Sequence, residues 1–189
     1  MTNAKHLIAA TLAVAAITAT SACTANDPRT TPSTTSSVIS TTTTTTPTPS
    51  SASLSPAEQD VKDAAQTITR FWAVLDELAT DPKKSLDELA TVSRDPSINT
   101  WRQLLTRHRV QQLKQIGRTV VGEPSAKPIS ASRFAVTACI DVSKVNLVDK
   151  DGKSVVAANR PPRVQYQYIV EKASGGVFYV VEDRAVQTC

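Results

Sequence analysis

His108 and Asp141 are the pair in this 189-residue chain whose residue types could do proton chemistry. A histidine beside a carboxylate shuttles protons near neutral pH. The only other histidine, His6, lies beside Lys5 in the short basic region at the N-terminus. A plainer reading is available, because His108 falls on an apolar helical stripe between Leu105 and Gln112, where a lone histidine is ordinarily a core or edge residue. The three cysteines, Cys23, Cys139 and Cys189, are too few for a disulfide-dense fold or more than a minimal metal cluster. Asp149-Lys150-Asp151-Gly152 is Asp-rich like a calcium loop, but no closing glutamate follows and it reads as a turn. No nucleophile elbow, zinc-protease, phosphate-loop or dinucleotide glycine motif occurs in the sequence. The expectation is a protein with no metal, no cofactor and no catalytic residues.

Binding is the other chemistry to consider. Trp72, Tyr166 and Tyr168, with Phe71 and Trp101, are the large side chains able to line a pocket or, equally, to fill a core. Net charge is +4, from 21 basic and 17 acidic residues, too mild for a dedicated nucleic-acid binder. The charge is uneven. From Glu58 to Glu88 acids outnumber bases, whereas Arg94, Arg102, Arg107, Arg109, Lys114 and Arg118 follow with Asp95 as the sole acid. That basic run reads as a solvated helix face balanced by the acidic first helix, or as a face toward acidic lipid headgroups.

The N-terminus decides where such a surface would sit. A short basic region at Lys5 precedes an uncharged stretch, Leu7 to Thr20, of mostly Ala, Ile, Leu, Val and Thr. Residues 1–22 read as an export signal, since about 14 apolar residues fall short of the ~20 needed to span a bilayer. Thr20-Ser21-Ala22-Cys23 resembles the lipobox of bacterial lipoproteins, with Thr20 where leucine is usual. The resemblance implies cleavage before Cys23, diacylglycerol on its thiol and anchoring at the extracytoplasmic face of the cell membrane. Two acyl chains anchor far better than one, at ~0.8 kcal/mol per buried methylene. Ordinary cleavage near Ala22, leaving a free thiol in a secreted protein, is the alternative. Residues 24–54 are Ser/Thr-rich with interspersed Pro and only Asp27 and Arg29 charged. They lack the apolar mass to offset ordering entropy and read as a disordered tether, with the composition of a glycosylated stalk.

From Ser55 the chain reads as folded. Ser55-Pro56-Ala57-Glu58 is a capping box with Pro at the first helical position. Val61, Ala64, Ile68, Phe71, Trp72, Leu75 and Leu78 then recur at helical spacing, so a helix is expected over about 56–79. Ser85-Leu86-Asp87-Glu88 reads as a second capping box opening a short helix. A third helix is expected from Ile98 through Ile116, with Gly117 ending it. The period then falls to two. A strand is expected around Thr119–Gly122, then Phe134, Val136, Ala138 and Ile140 alternate, as do Val164, Tyr166, Tyr168 and Val170. Ser174-Gly175-Gly176 turns into a last strand, Val177–Val186. Residues 55–189 are therefore expected to fold as α+β, three helices on one face of an antiparallel sheet of about four strands.

This element order resembles the nuclear-transport-factor-2-like (SnoaL-like) cone fold, in which helices lie across a strongly bent sheet. The chain as a whole resembles mycobacterial and related actinobacterial lipoproteins. The features carrying this are Cys23, the Thr/Ser/Pro tether, Phe71-Trp72, and the strand Ala138-Cys139-Ile140-Asp141-Val142-Ser143 with Cys189. In enzymes of that fold a His–Asp pair inside the cone transfers protons, which His108 and Asp141 would imitate. With Cys23 lipidated, Cys139 and Cys189 remain as an even pair in an oxidising compartment. A disulfide is expected; a free Cys139 with an exposed Cys189, or pairing between molecules, are the alternatives. The functional expectation is a non-enzymatic binding or accessory module of the envelope, its ligand a lipid, a glycolipid or an envelope protein. The alternatives are a tethered enzyme built on His108 and Asp141, and an envelope exclusion factor of phage or prophage type.

Overall fold

The computed structural model describes residues 54–189. The export signal, Cys23 and nearly all of the tether lie outside the described residues.

Helix α1, Pro56–Thr80, starts as its sequence dictates. The Ser55 hydroxyl accepts from the Glu58 amide, and the Ser55 amide donates back to the Glu58 carboxylate at 2.8 Å, so two otherwise orphaned amides are satisfied. Its apolar stripe, Ala64, Ile68, Phe71, Trp72, Leu75 and Leu78, is buried. Each large side chain of that stripe contributes ~1.5–3 kcal/mol relative to exposure. The second expected helix is a 3-10 helix, Leu86–Thr91. Ser85 caps it, but through the amide of Asp87, while Glu88 turns to Lys84, so no second capping box forms.

Helix α2, Ser97–Val110, ends six residues before the expected stop. Gln112 adopts a left-handed conformation, φ 54°. The Gln112 amide donates to the Arg109 carbonyl and the Leu113 amide to the His108 carbonyl, at 3.0 and 2.8 Å. This is a Schellman ending built on a non-glycine residue. Lys114–Ile116, expected to be helical, are strand β1. Gly117 serves a turn instead, with φ 82° and no room for a side chain, since a Cβ there would stand 1.9 Å from the Lys144 carbonyl oxygen.

The remaining strands are β2 (Val120–Val121), β3 (Ser125–Pro128), β4 (Arg133–Asp141), β5 (Asn146–Val148), β6 (Arg163–Lys172) and β7 (Phe178–Thr188). The main sheet is antiparallel and five-stranded, in the order β2-β4-β6-β7 with β3 also paired to β4. It is one strand larger than expected, and β1 and β5 form a separate two-stranded ribbon. Phe134, Val136, Ala138 and Ile140 face the helices, as their alternation requires. Strand β7 carries two register shifts against β6, between Gln165 and Tyr166 and between Ile169 and Val170. Bulges of this kind bend a strand and increase its twist, and they curl the sheet around α1. The outer edge of β7 is covered where Ser93 bridges Val180 and the Val180 amide donates to the Val92 carbonyl at 2.9 Å.

Candidate functional site

The helix-facing side of the sheet holds the aromatic residues expected either to line a pocket or to fill a core. Trp72, from α1, donates its indole N–H to the Tyr168 hydroxyl at 2.8 Å. Tyr166 stacks on Tyr168 at a centroid distance of 5.9 Å, and Trp72 meets Tyr166 edge-on at 5.6 Å. Trp101, from α2, sets its ring 5.5 Å from Trp72. Tyr168 is 2% exposed and Trp72 7%. These side chains pack edge-on and stacked against one another between helices and sheet, with Trp72 and Tyr168 buried.

A carboxylate missed by sequence sits at the edge of this cluster. Asp183 accepts from the Ser97 hydroxyl at 2.5 Å and from the Trp101 indole at 3.1 Å. Its register partner on β6 is Tyr168. Burial pushes the Asp183 carboxyl above the usual aspartate range, against the two hydrogen bonds that pull it down. The same burial raises both Tyr166 and Tyr168. A second acid, Asp76 on α1, is buried and accepts from Gln115 at 2.7 Å and from the Thr119 amide and hydroxyl, both at 2.8 Å. It ties the β1–β2 turn to the helix. The signal that marks it is an acid four residues after Trp72, on the apolar stripe of α1.

His108 and Asp141 are not joined by a hydrogen bond or ion pair among the described residues. His108 lies in the last turns of α2, which packs on β7, the 3-10 helix and α1. Its Nδ1 is buried without a partner, and burial, then the neighbouring Arg107 charge, lower its pKa. Asp141 closes β4 opposite Arg163. It accepts from the Ser143 amide at 2.8 Å, and Ser143, with Arg163 and Lys144, holds its carboxyl below the ordinary range. A carboxylate so stabilised is a poor proton acceptor near neutral pH.

Cys139, on the outward face of β4, is bonded to Cys189 with a Cα–Cα separation of 6.1 Å. Because β6 lies between β4 and β7, this link crosses the central strand and straps the chain's last residue onto the sheet. The same outward face carries a groove of about 440 Å³ bordered by Thr137, Gln167, Ile169, Glu182 and Arg184. Arg184 donates to Gln167 across it, and Arg133 pairs with Glu171 at 3.1 Å at its margin. Sequence reasoning did not find this groove, since outward positions of a strand carry no pattern of their own. Among the described residues no group of His, Cys, Asp and Glu is placed to hold a metal ion. No described helix is long and apolar enough to cross a membrane.

No protein-family model matches this chain, and no curated protein matches it in sequence. Solved structures do. The intermembrane space region of chloroplast protein ARC6 aligns over 68% of this chain and 97% of its own, at 14% identity and a TM-score of 0.52. A Novosphingobium aromaticivorans protein described as an aromatic ring hydroxylase aligns over 71% and 92%, at 13% identity and a TM-score of 0.50. A nuclear transport factor 2-like superfamily protein from Salmonella enterica serovar Typhimurium aligns over 70% and 94%, at 7% identity and a TM-score of 0.48. At these identities the likeness is one of fold alone, a mixed α+β arrangement of helices on an antiparallel sheet.

Proposed function

We propose that this protein is an extracytoplasmic lipoprotein of actinobacterial type, anchored to the cell membrane through Cys23, whose domain 55–189 binds an envelope component without transforming it. The observation carrying the reading is twofold: Trp72, Tyr166, Tyr168 and Trp101 pack against one another between helices and sheet, and no hydrogen bond or ion pair joins His108 to Asp141 among the described residues. With Asp183 satisfied by Ser97 and Trp101, recognition falls to the outside. The groove over Thr137, Gln167 and Arg184 is open and polar, suited to the hydroxyls of a glycolipid or the main chain of an envelope protein.

Native purification from the membrane followed by mass spectrometry tests this. The expected result is a co-purifying ligand lost from Thr137→Trp, which plugs the groove, and retained by the combined His108→Ala and Asp141→Asn variant. Loss of a measurable turnover in that combined variant would instead establish the tethered enzyme.

A further inference from the structure

The C-terminal end of α2 and the ribbon that follows it form a surface whose charge the protein leaves uncompensated. Arg107, Arg109, Lys114 and Arg118 fall within one short stretch, and none has an ion-pair partner among the described residues. The nearby pair that does form, Arg102 with Asp87 at 3.6 Å, uses a different arginine. Glu77 feels Arg118 only at a distance, its own hydrogen bond going to Lys84. Arg109 leaves Nε and Nη2 without acceptors. Those two N–H groups are the fork that takes two oxygens of a phosphate, although neighbouring atoms shield them and engagement requires Arg109 to turn outward.

Two apolar side chains are exposed among these charges. Val110 is 79% and Ile116 54% exposed. Because Gln112 turns the chain back on itself after Val110, β1 follows the helix end within four residues, and Lys114 and Ile116 project from the same face of that strand. A protein partner with acidic groups would complement the charge but gives Val110 and Ile116 no particular role. A phospholipid surface uses both, anionic headgroups for the bases and the headgroup–acyl boundary for the apolar tips.

We propose that this patch docks on the anionic surface of the membrane to which the chain is anchored, so that the domain lies against the bilayer at the α2–β1 end and presents its sheet outward. This rests on the anchored reading above. Each basic residue brought to such a surface strengthens association by about fivefold, the ~1 kcal/mol of that attraction expressed as a ratio.

The test uses the full chain as processed in its native host, carrying an environment-sensitive fluorophore on Val110→Cys, with phosphatidylcholine vesicles prepared with and without phosphatidylglycerol. A blue shift with the anionic vesicles only, reversed by high salt and lost on combined Arg107→Glu, Arg109→Glu and Lys114→Glu substitution, is the expected result. Should that triple variant not fold, Arg107→Gln with Lys114→Gln, both at exposed positions, weakens the response by roughly 25-fold on the same basis. An equal response on both vesicles, or none on either, overturns the proposal. So does a response to polyglutamate alone, which assigns the patch to an acidic protein. Flotation in high salt reads the anchor separately. Protein that floats without any shift keeps its anchor and refutes the docking. Protein that shifts on anionic vesicles at low salt yet does not float at high salt keeps the docking and refutes the anchor.

Discussion

Trp72 and Tyr168 are 96 residues apart in sequence and joined by a 2.8 Å hydrogen bond at the centre of the domain. The bond links α1 to β6 across the cone, and both partners are almost wholly withdrawn from water. Replacing Tyr168 with Phe keeps the ring and removes the acceptor, leaving the indole N–H buried and unpaired. A cost of ~1–3 kcal/mol is expected. Chemical denaturation of Trp72→Phe, Tyr168→Phe and the double variant checks it. The double variant should lose less than the sum of the singles, because the second change removes a group the first left unsatisfied.

Two half-buried titrating groups give the domain opposing pH responses. The Asp183 pKa is raised from 3.8, so the folded state holds its proton more tightly than the unfolded state. That contribution is complete below 3.8 and is lost as pH rises through the raised value. Asp183→Asn removes the trend, and wild type should lose ground to the variant between acid and neutral pH in paired urea melts.

For His108 the sign reverses. Its pKa is lowered from 6.5 by burial and by Arg107, so the folded state favours neutral imidazole. Its stabilising contribution is present above 6.5 and falls away as pH drops through the lowered value. His108→Gln should flatten the decline in melting temperature between pH 7 and the acid side of that window. An unchanged decline would place its origin elsewhere.

The helix end at Gln112 carries a left-handed backbone without a glycine. Gln112→Gly relieves the Cβ crowding of that conformation, although glycine frees the unfolded chain. A net gain of roughly 0.5–1 kcal/mol is expected, measurable as a raised denaturation midpoint with unchanged slope.

That same residue shows why part of this fold was readable and part was not. Ser55 and Glu58 announce α1 through a local hydrogen-bond pattern, and Phe134 to Ile140 announce β4 through alternation. Gln112 announces nothing, so the expected helix end falls on Gly117, the residue that looks like a helix stop, and Lys114–Ile116 falls on the expected helix. Asp183 was hidden for a related reason. From Phe178 and Val180 alternation predicts even-numbered residues inward, but the extra residue at Val181 reverses the parity and turns Asp183 toward Trp101. A bulge is set by long-range pairing and leaves no mark in a strand's own sequence. The aromatic residues stand out in the sequence by size, while whether they line a pocket or close it depends on three elements meeting in space.

The strap from Cys139 to Cys189 closes a loop with a sequence separation of 50. In the chain-entropy estimate such a crosslink constrains the unfolded state by about 4 kcal/mol, an upper figure. Cys139→Ser with Cys189→Ser should lower the denaturation midpoint correspondingly, and reductant should do the same to wild type and nothing to the variant.

The proposed function rests on lipid attachment at Cys23, and intact mass of the protein purified from its native membrane measures it directly. A polypeptide beginning at Cys23 and heavier than its sequence by a diacylglyceryl group is the expected result. A chain that keeps residues 1–22, or one that starts elsewhere with an unmodified thiol, would contradict the anchored function.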